Sequence, residues 1–332
     1  MTGPAIPLDF WNQYPTVLRP TQPPTALGGA GGLSGSELWR VDSRFGPLMV
    51  RAWPRNGVTP EILHQIHRWL IAAERLDGLA IPIASLGGAT WVEVQGRFWE
   101  LTPFLPGLAD LGRPPTTTHL ASMFQSLAAF HDELSAETVR GRSPGLIARS
   151  VELNRLILGE FATFQTALDR SAEDSRRPIA LRWLIRARQV APRLVGPLGR
   201  AAEQTHDLQP CIRDVRPDHF LFEGDKLTGL VDFGAMGIDV IATDLARLLG
   251  ETVGRSAEHR RITFGAYEFV RPISESDWAI LPEFEVANAL LGGARWVRWH
   301  FVEHRRFADP DAVAQGLNRT LARLVEHWGP GD

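Results

Sequence analysis

Apolar and polar residues alternate along 38–42 and 47–53 around an SRFG turn, and again along 90–94 and 97–104 around Gln95-Gly96. A period of two sends successive side chains to opposite faces, so this spacing predicts two β-hairpins. Between them, apolar residues at 62, 63, 66, 69 and 70 keep a helical period. Thr59 suits the N-cap of that helix, Pro60 its first turn and Glu61 its positive dipole end. Beyond Pro106-Gly107 the helical period dominates, with helices predicted at 117–134, 146–170, 179–195, 240–250, 255–270, 283–305 and 310–328. A β-like insert, CIRDVRPDHFLFEGDKLTGLVDFG, interrupts them at 209–234. Residues 1–25 are rich in Pro and Thr, lack periodicity and read as an irregular arm. The expected fold is α+β and bilobed: a small β-rich lobe at 26–107, then a larger, mainly helical lobe at 108–332 that carries the insert.

Composition narrows the class. The chain has 332 residues, is 44% hydrophobic and carries a formal charge of -3, which argues against a nucleic-acid or anionic-membrane partner. No run of eighteen apolar residues predicts a spanning helix, and the first residues have no basic or apolar leader, so a cytoplasmic location is expected. The lone cysteine, Cys211, fits a reducing compartment, and no His/Asn constellation marks it as a nucleophile. Of 35 basic residues only Lys226 is a lysine. Trp39, Trp53, Trp91 and Trp99 alternate in the predicted strands as core residues do.

Two segments carry candidate chemistry. In LGGAGGLSGSELWRV, Gly29, Gly31, Gly32, Ser34 and Gly35 form a loop whose backbone N–H groups can approach phosphate oxygens. A flexible linker explains the glycines alone equally well. The loop, however, leads into a strand rather than a helix, and it lacks the Gly-Lys-Ser/Thr of a Walker loop. Strand, glycine loop, strand is the order in which a loop covers nucleotide phosphates in protein-kinase-like folds, and the second strand then offers a cation, Arg51. In the second segment, Asp214 and Asp232 each follow a short apolar run, and the turn Glu223-Gly224-Asp225 lets both carboxylates face one cleft. Two exposed turn aspartates are the plain alternative. Asp-Phe-Gly eighteen residues beyond Arg-Asp instead suits phosphoryl transfer, with one carboxylate taking the hydroxyl proton and the other holding a metal.

With these motifs the chain resembles the aminoglycoside phosphotransferase and choline kinase-like family over roughly residues 26–250. IRDVRPDHFLF resembles the family's catalytic segment, His-x-Asp-x-x-x-x-Asn, and DFGAM with ATDLARLLG resembles its metal-binding Asp and the helix that follows. LAAFHDEL and WELTPFLPG resemble its Leu-Ala-x-x-His helix and its hinge. The resemblance implies a kinase-like transferase that moves the γ-phosphoryl group of ATP or GTP, with Mg2+ or Mn2+, to the hydroxyl of a small-molecule acceptor. It implies Asp214 as catalytic base, Asp232 as metal ligand, and Asp244 and Arg213 as supports of the catalytic loop. Backbone groups of Leu101, Thr102 and Phe104 would meet the adenine, although Pro103 has no N–H to offer.

Three departures stand beside the matches. Arg51 replaces the phosphate-binding lysine; arginine pairs with phosphate bidentately but is larger and planar. His219 takes the place of the metal-binding asparagine, and imidazole suits manganese or zinc better than magnesium; the ring turned onto the loop is the alternative. Ile212 stands where the segment's leading histidine would, and the helix after Arg51 has His64 and His67 inside but glutamates, Glu61 and Glu74, only at its ends. The rival reading is a catalytically impaired, kinase-shaped binding module. Near the C-terminus Arg295, Arg298, His300, His304, Arg305 and Arg306 form either a solvated face or a patch for an anionic acceptor. His131 reads as a packing residue. The acceptor itself stays open among aminoglycosides, choline, amino sugars and homoserine-like metabolites.

Overall fold

The computed structural model describes residues 5–27, 35–55, 57–109, 114–254, 256–307, 309 and 311–327. The chain divides into two compact units. Residues up to Pro114 together with Asp218–Gly234 form one, and Pro115–Pro217 with Ala235 onward form the other.

The first unit is built on an antiparallel sheet of five strands: β1 (Thr25–Ala26), β2 (Glu37–Asp42), β3 (Pro47–Ala52), β4 (Trp91–Val94) and β5 (Arg97–Pro103), in the order β1-β2-β3-β5-β4. Both predicted hairpins are present, with Trp39 opposite Val50 and Val92 opposite Trp99. One face carries Trp39, Val41, Leu48, Val50, Trp99 and Leu101, all buried. Trp39 and Trp99 stack with ring centroids 5.5 Å apart. Where an irregular arm was expected, Leu8–Trp11 forms a helical turn, α1, and Phe10, Trp11 and Tyr14 join this core. These aromatics give the segment enough apolar area to order it, and their scatter among prolines hides the period. The other sheet face carries Met49, Arg51, Glu100 and Thr102. With Ile66, His67 and Leu70 of α2 (Pro60–Ala72) they enclose a cavity of about 40 Å³. Thr59 caps α2, its hydroxyl accepting from the N–H of Ile62.

The acidic insert divides. A hairpin of Phe220–Glu223 with Lys226–Leu230 belongs to the β-rich unit, not to the helical part where the sequence placed it. Leu108 and Phe222 exchange backbone hydrogen bonds, the Leu230 N–H donates to Gly78, and the Thr228 hydroxyl donates to the Pro106 carbonyl. Gly107, at φ +105°, makes this approach possible: a Cβ there would lie 2.4 Å from Thr228 Oγ1.

The second unit is mainly helical: α3 (Thr117–Glu133), α4 (Pro144–Arg155), α5 (Phe161–Asp169), α6 (Arg177–Glu203), α7 (Ala242–Thr252), α8 (Ala257–Glu268), α9 (Glu275–Val297) and α10 (Ala312–His327). A three-stranded sheet accompanies them, with His206–Cys211 between Val139–Gly141 and Gly237–Asp239. Three helices differ from the expected spans. α6 runs on to Glu203 through Pro192 and Pro197, because its buried positions continue at 194, 198, 201 and 202 and packing outweighs roughly 3 kcal/mol per interior proline. α9 starts eight residues early, where the Ser274 hydroxyl accepts from Asp277 N, and it passes Pro282. The predicted helix 146–170 contains a π turn at Leu156–Glu160, and α9 ends in another at Arg298–Val302. Arg298 ties the two turns together, donating to both carboxylate oxygens of Glu160.

Candidate active site

In the β-rich unit the chemistry gathers on the α2-facing side of the sheet. Register places Arg51 directly opposite Glu100, and strand alternation turns both away from the aromatic core. The Arg51 guanidinium lies 4.4 Å above the Trp53 ring, 3.8 Å from Glu100 Oε1, and 3.1 Å from Asp232 Oδ1 through Nη2. Its Nε is buried without a hydrogen-bond partner. Glu100 also accepts from Trp53 Nε1 and His67 Nε2, each at 2.9 Å. Burial alone would raise the proton affinity of Glu100, but the His67 hydrogen bond and the Arg51 charge outweigh it and hold the carboxyl below its usual range. An ionised Glu100 only accepts, so His67 Nε2 carries the proton there; in the neutral ring Nδ1 accepts from Thr90 Oγ1 at 2.8 Å.

Asp232 follows the hairpin in a left-handed conformation, φ +63°, and its side chain is 40% exposed. Its second oxygen, Oδ2, lies 3.6 Å from Nε2 of the buried His219. The structure therefore brings Arg51, Asp232 and His219 together. A carboxylate and an imidazole so placed could offer an O/N donor pair to one divalent cation, while Arg51 holds the other carboxylate oxygen.

In the helical unit Asp244 organises the loop after His206–Cys211. Its fully buried carboxylate accepts from Ile212 N at 2.7 Å, Arg213 N at 2.6 Å and His131 Nε2 at 3.1 Å. His131 Nδ1 in turn meets the Tyr267 hydroxyl at 2.8 Å, so the histidine supports packing as expected. Arg213 is held at φ +68°, a conformation that a non-glycine residue keeps only under constraint. The next residue, Asp214, has a side chain 48% exposed, pairs with Arg247 at 3.1 Å and lines a pocket of about 430 Å³. Cys211 is fully buried and burial pushes its thiol up, which removes it as a nucleophile.

Of the proposed nucleotide-loop residues, Gly29, Gly31, Gly32 and Ser34 lie outside the described residues; Gly35 follows at φ +74°. Along the proposed adenine edge, the Leu101 carbonyl accepts from Ile83 N at 2.8 Å and the Phe104 N–H donates to Pro47 O at 3.0 Å. The Thr102 hydroxyl is buried and unpaired. Sequence reasoning missed Glu100, His67 and Arg247. Hairpin register, which sets Glu100 against Arg51, was the available signal for the first.

A β-rich unit that receives the Asp-Phe-Gly hairpin, and a helical unit that pins the Arg213-Asp214 loop on a buried aspartate, define the protein-kinase-like phosphotransferase fold. The family model described as "phosphotransferase enzyme family" matches residues 25–284. The chain belongs to that family. Homoserine kinases of Xanthobacter autotrophicus and Phenylobacterium zucineum are each 28% identical to it, over 63% and 67% of this chain. The matches span 60% and 64% of those kinases, so the chain covers a little over three-fifths of their length. Among solved structures, an aminoglycoside phosphotransferase from Alicyclobacillus acidocaldarius superposes with TM-score 0.68 at 18% identity, covering 98% of this chain and 94% of that one. An amicoumacin kinase in complex with AMP-PNP, Ca2+ and Ami gives 0.64 at 12%, over 96% of each chain. A microcompartment-associated aminopropanol kinase gives 0.60 at 14%, over 96% and 94%. No described helix is long and apolar enough to cross a membrane.

Proposed function

We propose that this chain transfers the γ-phosphoryl group of ATP or GTP to the hydroxyl of a small metabolite, with L-homoserine the first acceptor to try because its curated relatives are named for it. The observation that carries the reading is the loop of Ile212–Asp214, fixed by Asp244 with the Asp214 carboxylate opening on a pocket. In this reading Asp214 accepts the hydroxyl proton as the oxygen attacks phosphorus. Arg51 supplies positive charge to the phosphates, with Glu100 beside its guanidinium, Trp53 beneath it, and His67 and Trp53 holding the Glu100 carboxylate in place. The glycine loop at 29–35 would cover the phosphates, and backbone groups of Leu101 and Thr102 would face the base. Asp232 with His219 would hold a divalent cation, Mg2+ or Mn2+, which neutralises phosphate charge when bound. The same Arg51–Asp232 contact also favours the rival reading, an impaired enzyme that binds nucleotide only, since it occupies one oxygen of the metal-binding carboxylate.

The test follows γ-phosphoryl transfer from ATP and GTP to L-homoserine and other hydroxyl acceptors, with each metal, alongside nucleotide affinity. Asp214→Asn should cut turnover at least 10²-fold, the usual worth of a positioned base, while nucleotide affinity stays within about twofold. Equal turnover by the variant would end the assignment. Nucleotide binding without transfer to any acceptor would favour the rival.

A further inference from the structure

The pocket that Asp214 lines carries more positive charge than its own carboxylates balance. Four arginines reach it from four different segments: Arg149 from α4, Arg213 from the anchored loop, Arg247 from α7 and Arg295 from α9. Among the described residues two carboxylates share the lining, Asp214 and Glu152. Each is already engaged, Asp214 by Arg247 at 3.1 Å and Glu152 by Arg298 at 3.1 Å. Arg149 lies in no ion pair among the described residues; it donates to Asn288 Oδ1 and to the Gly145 carbonyl. Arg213 and Arg295 have neither an ion pair nor a side-chain hydrogen bond among the described residues, and both are exposed. Arg295 only stacks, 5.7 Å above Trp299.

The arginines also feel one another. Burial, then the charges of Arg247, Arg213 and Arg295, push the Arg149 guanidinium down to about 10 despite the pull of Asp239. Arg295 is lowered too, by the protein crowding its guanidinium and then by Arg247. Guanidinium groups keep their charge in proteins, so bringing four of them to one pocket carries a repulsion that a bound anion would relieve. A cationic acceptor would add to it.

We propose that this pocket takes an acceptor bearing an anionic group, a carboxylate or a phosphate, beside its hydroxyl, and that Arg295 and Arg213 are the residues that recognise it. Planar guanidinium groups without internal partners suit bidentate binding of either group. Arg149, fixed by Asn288, and Arg247, bound to Asp214, keep the background potential positive. The anion at this end would leave the hydroxyl of a short acceptor toward Asp214. An acceptor whose only charge is an ammonium finds no unpaired carboxylate among the described lining residues. The inference rests on the reading of Asp214 as the base only for the direction in which the acceptor lies; the anion site stands on the arginines.

Isothermal titration of the full chain tests it with four probes. 4-Hydroxybutyrate has a carboxylate and no amine, 3-amino-1-propanol an amine and no carboxylate, L-homoserine both, and glycerol 3-phosphate a phosphate. The two anions and L-homoserine should bind, and 3-amino-1-propanol should bind at least tenfold more weakly or not at all. The tighter of 4-hydroxybutyrate and glycerol 3-phosphate identifies the group. Arg295→Gln and, from a different element, Arg213→Gln should each weaken the anions about tenfold, the worth of one charge-assisted contact, and leave 3-amino-1-propanol unchanged. Equal or tighter binding of the amino alcohol, no binding of any anion, or unchanged anion affinity in both variants would overturn the proposal. Anion binding lost in Arg295→Gln, with no phosphoryl transfer by the native chain, would leave this site standing and remove the enzymatic reading. Phosphoryl transfer with no preference for anions would do the reverse.

Discussion

Asp244→Asn isolates the device that holds the Asp214 loop. The substitution keeps shape and volume but exchanges one acceptor oxygen for an NH2 group. The native carboxylate serves three donors: the Ile212 amide at 2.7 Å, the Arg213 amide at 2.6 Å and His131 Nε2 at 3.1 Å. An asparagine oxygen can keep one loop amide; the other then faces a donor, in a place where Ile212 and residue 244 are fully buried. A buried amide left without an acceptor costs about 1–3 kcal/mol, and the left-handed Arg213 at φ +68° is then held by one bond fewer. A loss of about 2 kcal/mol in local stability is therefore expected, roughly a 30-fold loss of hydrogen-exchange protection. Amide exchange of the peptide spanning 209–216 measures this directly, and the sheet peptide spanning 97–103 in the other unit should be unchanged. Turnover, where an acceptor is found, should fall as the Asp214 position broadens. Unchanged protection at Ile212 and Arg213 in the variant would refute the anchoring argument outright.

Three further outcomes follow from the buried groups. Because Glu100 titrates below its usual range in the folded chain, its stabilisation is present above the unfolded value of about 4.3 and is lost as pH falls through the lower folded value. Glu100→Gln should thus be less stable than the native chain by about 3 kcal/mol at pH 7, with the gap closing on acidification below about pH 4.3; denaturant melts at several pH values would expose a constant gap as contrary. Arg51→Lys cannot reach Glu100, Asp232 and the Trp53 face together, so nucleotide affinity should drop severalfold, and unchanged affinity would take Arg51 out of the phosphate site. The raised Cys211 thiol should ignore a thiol reagent in the native chain and react as one equivalent on unfolding, and quick native labelling would contradict its burial.

The sequence made the strands, the helices flanking them and the acidic motifs readable, because hairpin alternation and the Asp-Phe-Gly spacing are local signals. The N-terminal turn was not readable: Phe10, Trp11 and Tyr14 have no period of their own and order only against a sheet formed later in the chain. The helix passing Pro192 and Pro197 was hidden for the opposite reason, a local breaker overridden by tertiary burial. Asp244 was legible from its resemblance, whereas Arg247 and Arg149 were ordinary helix arginines until folding turned them into the Asp214 pocket. Of the C-terminal basic cluster, Arg295 faces that pocket, while Arg298 is tied to Glu152 and Glu160 and His300 to Asp174.

Arg51, the absence of a mid-helix glutamate and the histidines inside α2 look unrelated in the sequence, yet in the sheet they form one arrangement. A lysine ammonium is a point charge that one carboxylate can hold; a guanidinium is planar and offers a fork, so it needs support in its plane and on its face. Trp53 covers the face at 4.4 Å. The carboxylate comes from Glu100, directly across the sheet, where register fixes it more tightly than a helix side chain would be fixed. With the carboxylate supplied by β5, the helix no longer needs an acid, and His67 instead donates to Glu100 and meets Thr90 on its far side. An arginine merely drifting in from lysine would not be expected to carry a matched acid, a matched donor and an aromatic floor. The buried network therefore argues for a maintained cation beside Asp232 rather than for the decay of a former site.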